Sequence, residues 1–69
     1  MVTVNYIGHA SFSFKSEQGT TIYYDPWLDE SPVASIKRSD VETADIVIAT
    51  HGHNDHVRDA FEICHQTRA

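Results

Sequence analysis

Asp45-Ile46-Val47-Ile48-Ala49-Thr50-His51-Gly52-His53-Asn54-Asp55-His56 joins a short apolar run to four metal-capable side chains packed into six residues. The run from Asp45 to Thr50 reads as a strand covered on both faces, with the cluster at its carboxyl end, the edge where ligand sites of layered α/β sheets collect. Imidazole and carboxylate are the usual nitrogen and oxygen ligands of zinc and also accept manganese or ferrous iron. His51 and His53, two apart on extended backbone, lean to one side, and Asp55 and His56 follow where the chain must turn. Gly52 and Asn54 suit such a bend. The competing reading is a His-rich surface turn, or histidines capping the helix that follows. The spacing after a β-branched run favours the metal.

Downstream, Val57, Ala60, Phe61 and Cys64 fall at i, i+3, i+4 and i+7, which predicts one apolar helix face and a helix over about 57–66. Asn54 or Asp55 would cap it, and its positive end would then aim at the cluster, where it suits a hydroxide or an anionic substrate group. Cys64, on that face, is expected to be a small core residue.

Upstream, Val2, Val4 and Tyr6 alternate with Thr3 and Asn5, and Phe12 and Phe14 alternate with Ser11, Ser13 and Lys15. Two half-buried strands follow, at about 2–7 and 10–16, joined near Gly8-His9 as an antiparallel hairpin. Glu17-Gln18-Gly19 supplies a turn into a third strand at about 20–25, which Asp25-Pro26 stops, and a fourth lies at about 45–50. Between Leu28 and Ala44 the pattern weakens into loop, with one helical turn around Asp40 to Thr43. The fold class expected is α/β, in an α+β layered arrangement.

Composition bounds the partners. Apolar residues are 41% of the chain, and no run approaches the ~18 residues of a membrane span. Five basic against ten acidic residues give a net charge of −5, which disfavours a nucleic-acid backbone. Met1-Val2-Thr3-Val4-Asn5 carries no basic stretch leading into an apolar segment, so no secretory signal is expected, and a cytoplasmic location is. Cys64 is alone, so no disulfide framework supports a chain this short.

Thr50-His51-Gly52-His53-Asn54-Asp55-His56 resembles the HxHxDH signature of the metallo-β-lactamase fold superfamily. Ile7-Gly8-His9-Ala10-Ser11-Phe12, Thr21-Ile22-Tyr23-Tyr24-Asp25-Pro26-Trp27-Leu28 and Ala44-Asp45-Ile46-Val47-Ile48-Ala49-Thr50 resemble the opening of one branch. That branch holds the ascorbate-6-phosphate lactonase-like metal-dependent hydrolases and, more distantly, a phospholipase D acting on N-acyl-phosphatidylethanolamine. Such hydrolases need about 200 residues, within the usual range of a single domain. The resemblance therefore implies that residues 1–69 are one partial domain, the amino-terminal portion of an αββα sandwich.

Carried over residue by residue, the resemblance makes His51 and His53 ligands of one metal, and Asp55 and His56 ligands of a second. Two divalent ions are implied in the complete site, zinc first, with manganese or iron as alternatives. The remaining ligands of the family lie later in the chain, so a further carboxyl-terminal portion or a partner chain is expected to complete the site, and the piece alone to be inactive. The complete enzyme would turn a metal-bound hydroxide on a lactone, ester or phosphodiester of a small-molecule substrate, with Asp55 also orienting the nucleophile or accepting a proton. Two other classes compete: a noncatalytic metal-binding or assembly fragment, and a metal-dependent nuclease of the same superfamily.

Other residues have two readings each. Asp25 is placed near the metals by the resemblance, where it would hydrogen-bond a ligand histidine, yet Asp before Pro also terminates strands. His9 matches a histidine of the family pattern and would support the site from behind, but at a hairpin corner a turn or packing role is favoured. Trp27 reads as a buried anchor rather than a substrate contact, and Lys37-Arg38 as solvated loop rather than a phosphate site.

Overall fold

The computed structural model of the 69-residue chain describes residues 1–50, 52–53 and 58–69. Four strands, β1 (Thr3–Gly8), β2 (Ser11–Lys15), β3 (Thr21–Tyr24) and β4 (Ile46–Ile48), form one sheet in the order β1-β2-β3-β4, followed by the helix α1 (Ala60–Thr67). The first three strands make the expected antiparallel meander, and β4 adds parallel to β3. The hairpin corner is tight because Gly8 takes φ 152°, and a Cβ there would lie 2.7 Å from the Val33 carbonyl oxygen. The second turn closes with Ser16 and Thr20 paired through Ser16 N–H to the Thr20 carbonyl, and Gly19 at φ 88° supplies the left-handed residue it needs.

The register sorts the two sheet faces. Val4, Phe14, Ile22 and Ile46 are cross-strand partners in one row, and Tyr6, Phe12, Tyr24 and Ile48 in the next, so one face is apolar throughout. Its aromatic rings contact one another, with Tyr6 and Phe12 centroids 5.1 Å apart and Phe12 and Tyr24 6.3 Å apart. No described residue covers this face: Val4, Tyr6, Ile46 and Ile48 are exposed. This corrects the reading of β4 as covered on both faces. Its apolar run is continuous, but only Val47 turns toward the core, and Ile46 and Ile48 belong to the open side.

The core lies on the other face. Ile7 and Tyr23 from the sheet pack with Leu28, Val41 and Ala44 from the long connection and with Ile63 of α1. Leu28 and Ile63 are fully enclosed, and burying such side chains contributes about 1.5–3 kcal/mol each. The helical turn expected around 40–43 is a short 3-10 turn at Arg38–Asp40, capped at its start where Asp40 Oδ2 accepts from the Lys37 amide.

The helix departs from expectation in phase and start. Ala60 and Ile63 are buried and Cys64 is half-buried, while Phe61 is 78% exposed. The apolar stripe therefore runs through Ala60, Ile63 and Thr67, about 100° round from a stripe through Phe61. The N-cap is Asp59, not Asn54 or Asp55, and its carboxylate serves the neighbouring loop instead of the helix amides. Of the expected helix over 57–66, Val57 lies outside the described residues.

Candidate metal centre

The segment that leads into the histidine cluster is held by a bracket of short hydrogen bonds. Asp25 ends β3 in a left-handed conformation at φ 46°, which an Asp tolerates better than most residues. That turn directs its carboxylate, only 1% exposed, toward the end of β4. Thr50 N–H donates to Asp25 Oδ1 at 2.7 Å, the Thr50 hydroxyl donates to Oδ2 at 2.7 Å, and the Asp25 amide donates to the Ile48 carbonyl at 2.8 Å. The residue immediately before His51 is thus pinned to Asp25 at two points, and Ile48 two residues earlier at a third. Asp25 does act as more than a strand terminator, and the bonds described run to Thr50.

A second set of contacts fixes Asp25 itself. The Ser11 hydroxyl, fully buried beside the hairpin corner, donates to the Asp25 carbonyl at 2.6 Å and accepts from Trp27 N–H at 2.9 Å. Asp59 accepts Leu28 N–H through Oδ2 at 2.6 Å, while its own amide donates to the Pro26 carbonyl at 3.1 Å. The Asp25-Pro26-Trp27-Leu28 turn is therefore tied to the first hairpin and to the start of α1. Neither Ser11 nor Asp59 stands out in the sequence, because the signal for both is a partner distant along the chain. The roles appear only once β2, β3 and α1 are adjacent.

His9, exposed and at φ 55°, is a turn residue: its carbonyl accepts the Tyr6 hydroxyl at 2.8 Å, and its ring meets Trp27 edge-on with centroids 5.5 Å apart. Trp27 is half-buried, shared between that contact and the turn, rather than a buried anchor. The Lys37 and Arg38 amides are bound by the carboxylates of Asp40 and Asp29, and Arg38 lies 3.8 Å from Glu62, so this stretch is a surface loop.

Of the predicted ligands, His53 is exposed in the segment following β4. His51, Asp55 and His56 lie outside the described residues. Among the described residues no group of three or more His, Cys, Asp or Glu is gathered as a metal would require. The donor chemistry of the motif, three imidazoles and a carboxylate on one short segment, fits a borderline divalent cation.

Residues 3–63 match the sequence profile of the beta-lactamase superfamily domain. The chain belongs to this family. Among the curated relatives of this beta-lactamase superfamily chain, a metal-dependent hydrolase of Thermococcus kodakarensis is 41% identical over 69 residues, covering 100% of the chain and 30% of the relative. A metal-dependent hydrolase of Herpetosiphon aurantiacus is 37% identical over 68 residues, covering 97% of the chain and 28% of the relative. A solved structure of a metallo hydrolase from the hyperthermophilic archaeon Ignicoccus hospitalis superposes with a TM-score of 0.87 at 35% identity, over 99% of this chain and 30% of that one. The mixed sheet and the helix of the described residues are those of a metallo-β-lactamase fold, and the chain spans about 30% of the length of these relatives. No helix among the described residues is long and apolar enough to cross a membrane.

Proposed function

We propose that the chain carries the first part of a divalent-metal hydrolase site, with His51 and His53 as ligands of one ion and Asp55 and His56 as ligands of a second. The observation that carries this reading is the Asp25–Thr50 bracket, two 2.7 Å bonds from a buried carboxylate to the residue that introduces the motif. Catalytic metal sites depend on such outer hydrogen bonds to hold ligands in place, and here the bracket sits at the carboxyl end of the parallel pair β3 and β4. When bound, a pair of ions would supply an activated water and positive charge for a developing oxyanion. Asp25 and Thr50 orient the strand end, Ser11 holds Asp25 and Asp59 holds the turn that follows it, and Asp55 orients the nucleophile or accepts its proton.

The substrate class is a lactone, ester or phosphodiester. The relatives, named as metal-dependent hydrolases, support hydrolysis, and the net charge of −5 argues against the nuclease alternative. Zinc is the first candidate ion, with manganese and iron next. Residues 1–69 form a partial domain whose open apolar sheet face receives the second layer of the sandwich, in cis or from a partner chain, and that layer completes the ligand set. A noncatalytic metal-binding fragment is the second reading, favoured by the four motif donors lying on one segment without further donors gathered among the described residues.

The test is metal content and hydrolysis measured together on the chain joined to the remaining length of its relatives. About two ions per chain, reduced by His53→Ala and Asp55→Ala alike, with hydrolysis of phosphorylated lactones or phosphodiesters lost in both, is the expected result. Ions bound without hydrolysis of any of these substrates would select the noncatalytic reading. No metal in the wild-type protein would reject both.

A further inference from the structure

A groove crosses the core-side face of the sheet. It has two lobes of about 240 and 400 Å³, and Asn5, Ser13, Tyr23 and Asp40 line both. Three of these are one cross-strand row: Asn5 pairs with Ser13 and Ser13 with Tyr23, so an amide, a hydroxyl and a phenol stand in line at the strand spacing of about 4.8 Å. Asp40, from the 3-10 turn, overhangs the row. Ile7 and Ile36 line the larger lobe and give it an apolar wall. Among the described residues, neither Asp25, Thr50 nor His53 lines either lobe.

The hydroxyls of the row face the groove. Tyr23 is 8% exposed and Ser13 9%, yet neither hydroxyl bonds to another described residue. No buried side-chain oxygen or nitrogen of the described residues is left sealed without a partner, so these two hydroxyls open into the groove. Hydroxyls that open into a groove bond water there, and the polar groups of a ligand can take the place of that water. Burial also raises the Tyr23 pKa, which keeps the phenol a donor.

We propose that this groove binds a neutral, hydroxyl-rich small molecule, a polyol or a monosaccharide. Two hydroxyls and an amide each donate and accept, as the hydroxyls of such a ligand do, and the apolar wall at Ile7 and Ile36 suits the carbon-bound face of a ring. Asp40 and Glu42 on the rim disfavour an anion, with Lys15 the single cation lining the groove.

The experiment is a titration of the 15N-labelled chain, joined to the remaining length of its relatives, with D-glucose, with sorbitol and with inorganic phosphate, followed by amide shifts. Saturable shifts at Asn5, including its side-chain amide, and at Ser13 and Tyr23 are expected with glucose or sorbitol and not with phosphate. Tyr23→Phe and Asn5→Ala should each weaken the affinity roughly tenfold with the rest of the spectrum unchanged, since each removes a hydrogen-bonding group. Absence of saturable shifts with both polyols, shifts with phosphate alone, or wild-type affinity in both variants would overturn the proposal. Asn5 is exposed, so its replacement tests the site without risk to the core.

Discussion

If the Asp25 carboxylate holds the entrance to the histidine motif through Thr50, the two residues must be coupled energetically. Asp25→Ala removes two hydrogen bonds of 2.7 Å to a charged acceptor, each worth about 1.5–3 kcal/mol. Thr50 is exposed, so the low end applies, and the pair contributes about 3 kcal/mol. Alanine at φ 46° adds about 1 kcal/mol of backbone strain, giving a loss near 4 kcal/mol. Thr50→Val removes only the hydroxyl bond, about 1.5 kcal/mol. In the double variant that bond is counted once, so the two losses should fall short of additivity by about 1.5 kcal/mol, and the strain, common to Asp25→Ala alone and to the pair, cancels. The assay is urea unfolding of the four proteins followed by circular dichroism. Sulfate buffer keeps a folded baseline, because a chain of this length has only about 3–10 kcal/mol to lose. A coupling below about 0.5 kcal/mol would refute the bracket.

The core assignment and the helix phase are tested together: Leu28→Ala should cost about 2–5 kcal/mol and Phe61→Ser less than about 0.5 kcal/mol in the same unfolding assay, whereas comparable costs would restore the helix face that includes Phe61. Burial raises the Tyr23 pKa from its ordinary 10.0, so above pH 10 the unfolded chain binds fewer protons than the native one. Stability should therefore hold below that pH and fall as pH rises through the native pKa, and Tyr23→Phe should flatten the fall; an unchanged alkaline slope in the variant would place the phenol in solvent.

Where the reading of the sequence succeeded, the signal was local. Alternation of Val4, Tyr6, Phe12 and Phe14 predicts strands because side chains on extended backbone point to opposite sides. Glu17-Gln18-Gly19 predicts the turn because a left-handed residue is needed at Gly19. The apolar run into Thr50 predicts a strand, and β4 forms there. Where it failed, the answer depended on a partner. Ile46-Val47-Ile48 looks equally apolar on both sides, and only the alignment of Ile46 with Ile22 and Ile48 with Tyr24 assigns those two to the open face. Phe61 satisfies the helical spacing as well as Ile63 does, and the choice between them was made by which side of α1 meets Leu28 and Val41.

By itself the sequence determined the element types, the order of the strands along the chain, and the donor chemistry of His51, His53, Asp55 and His56, since each rests on residue type and near-neighbour spacing. Tertiary structure alone decided that Ser11, Asp25, Thr50 and Asp59 tie the Asp25–Leu28 turn to the residue before the motif, and that Asn5, Ser13 and Tyr23 stand in one row. The physical reason is the same in both cases. These contacts join residues far apart in the chain, and a short polar side chain carries no mark of its partner until packing brings the two within about 3 Å.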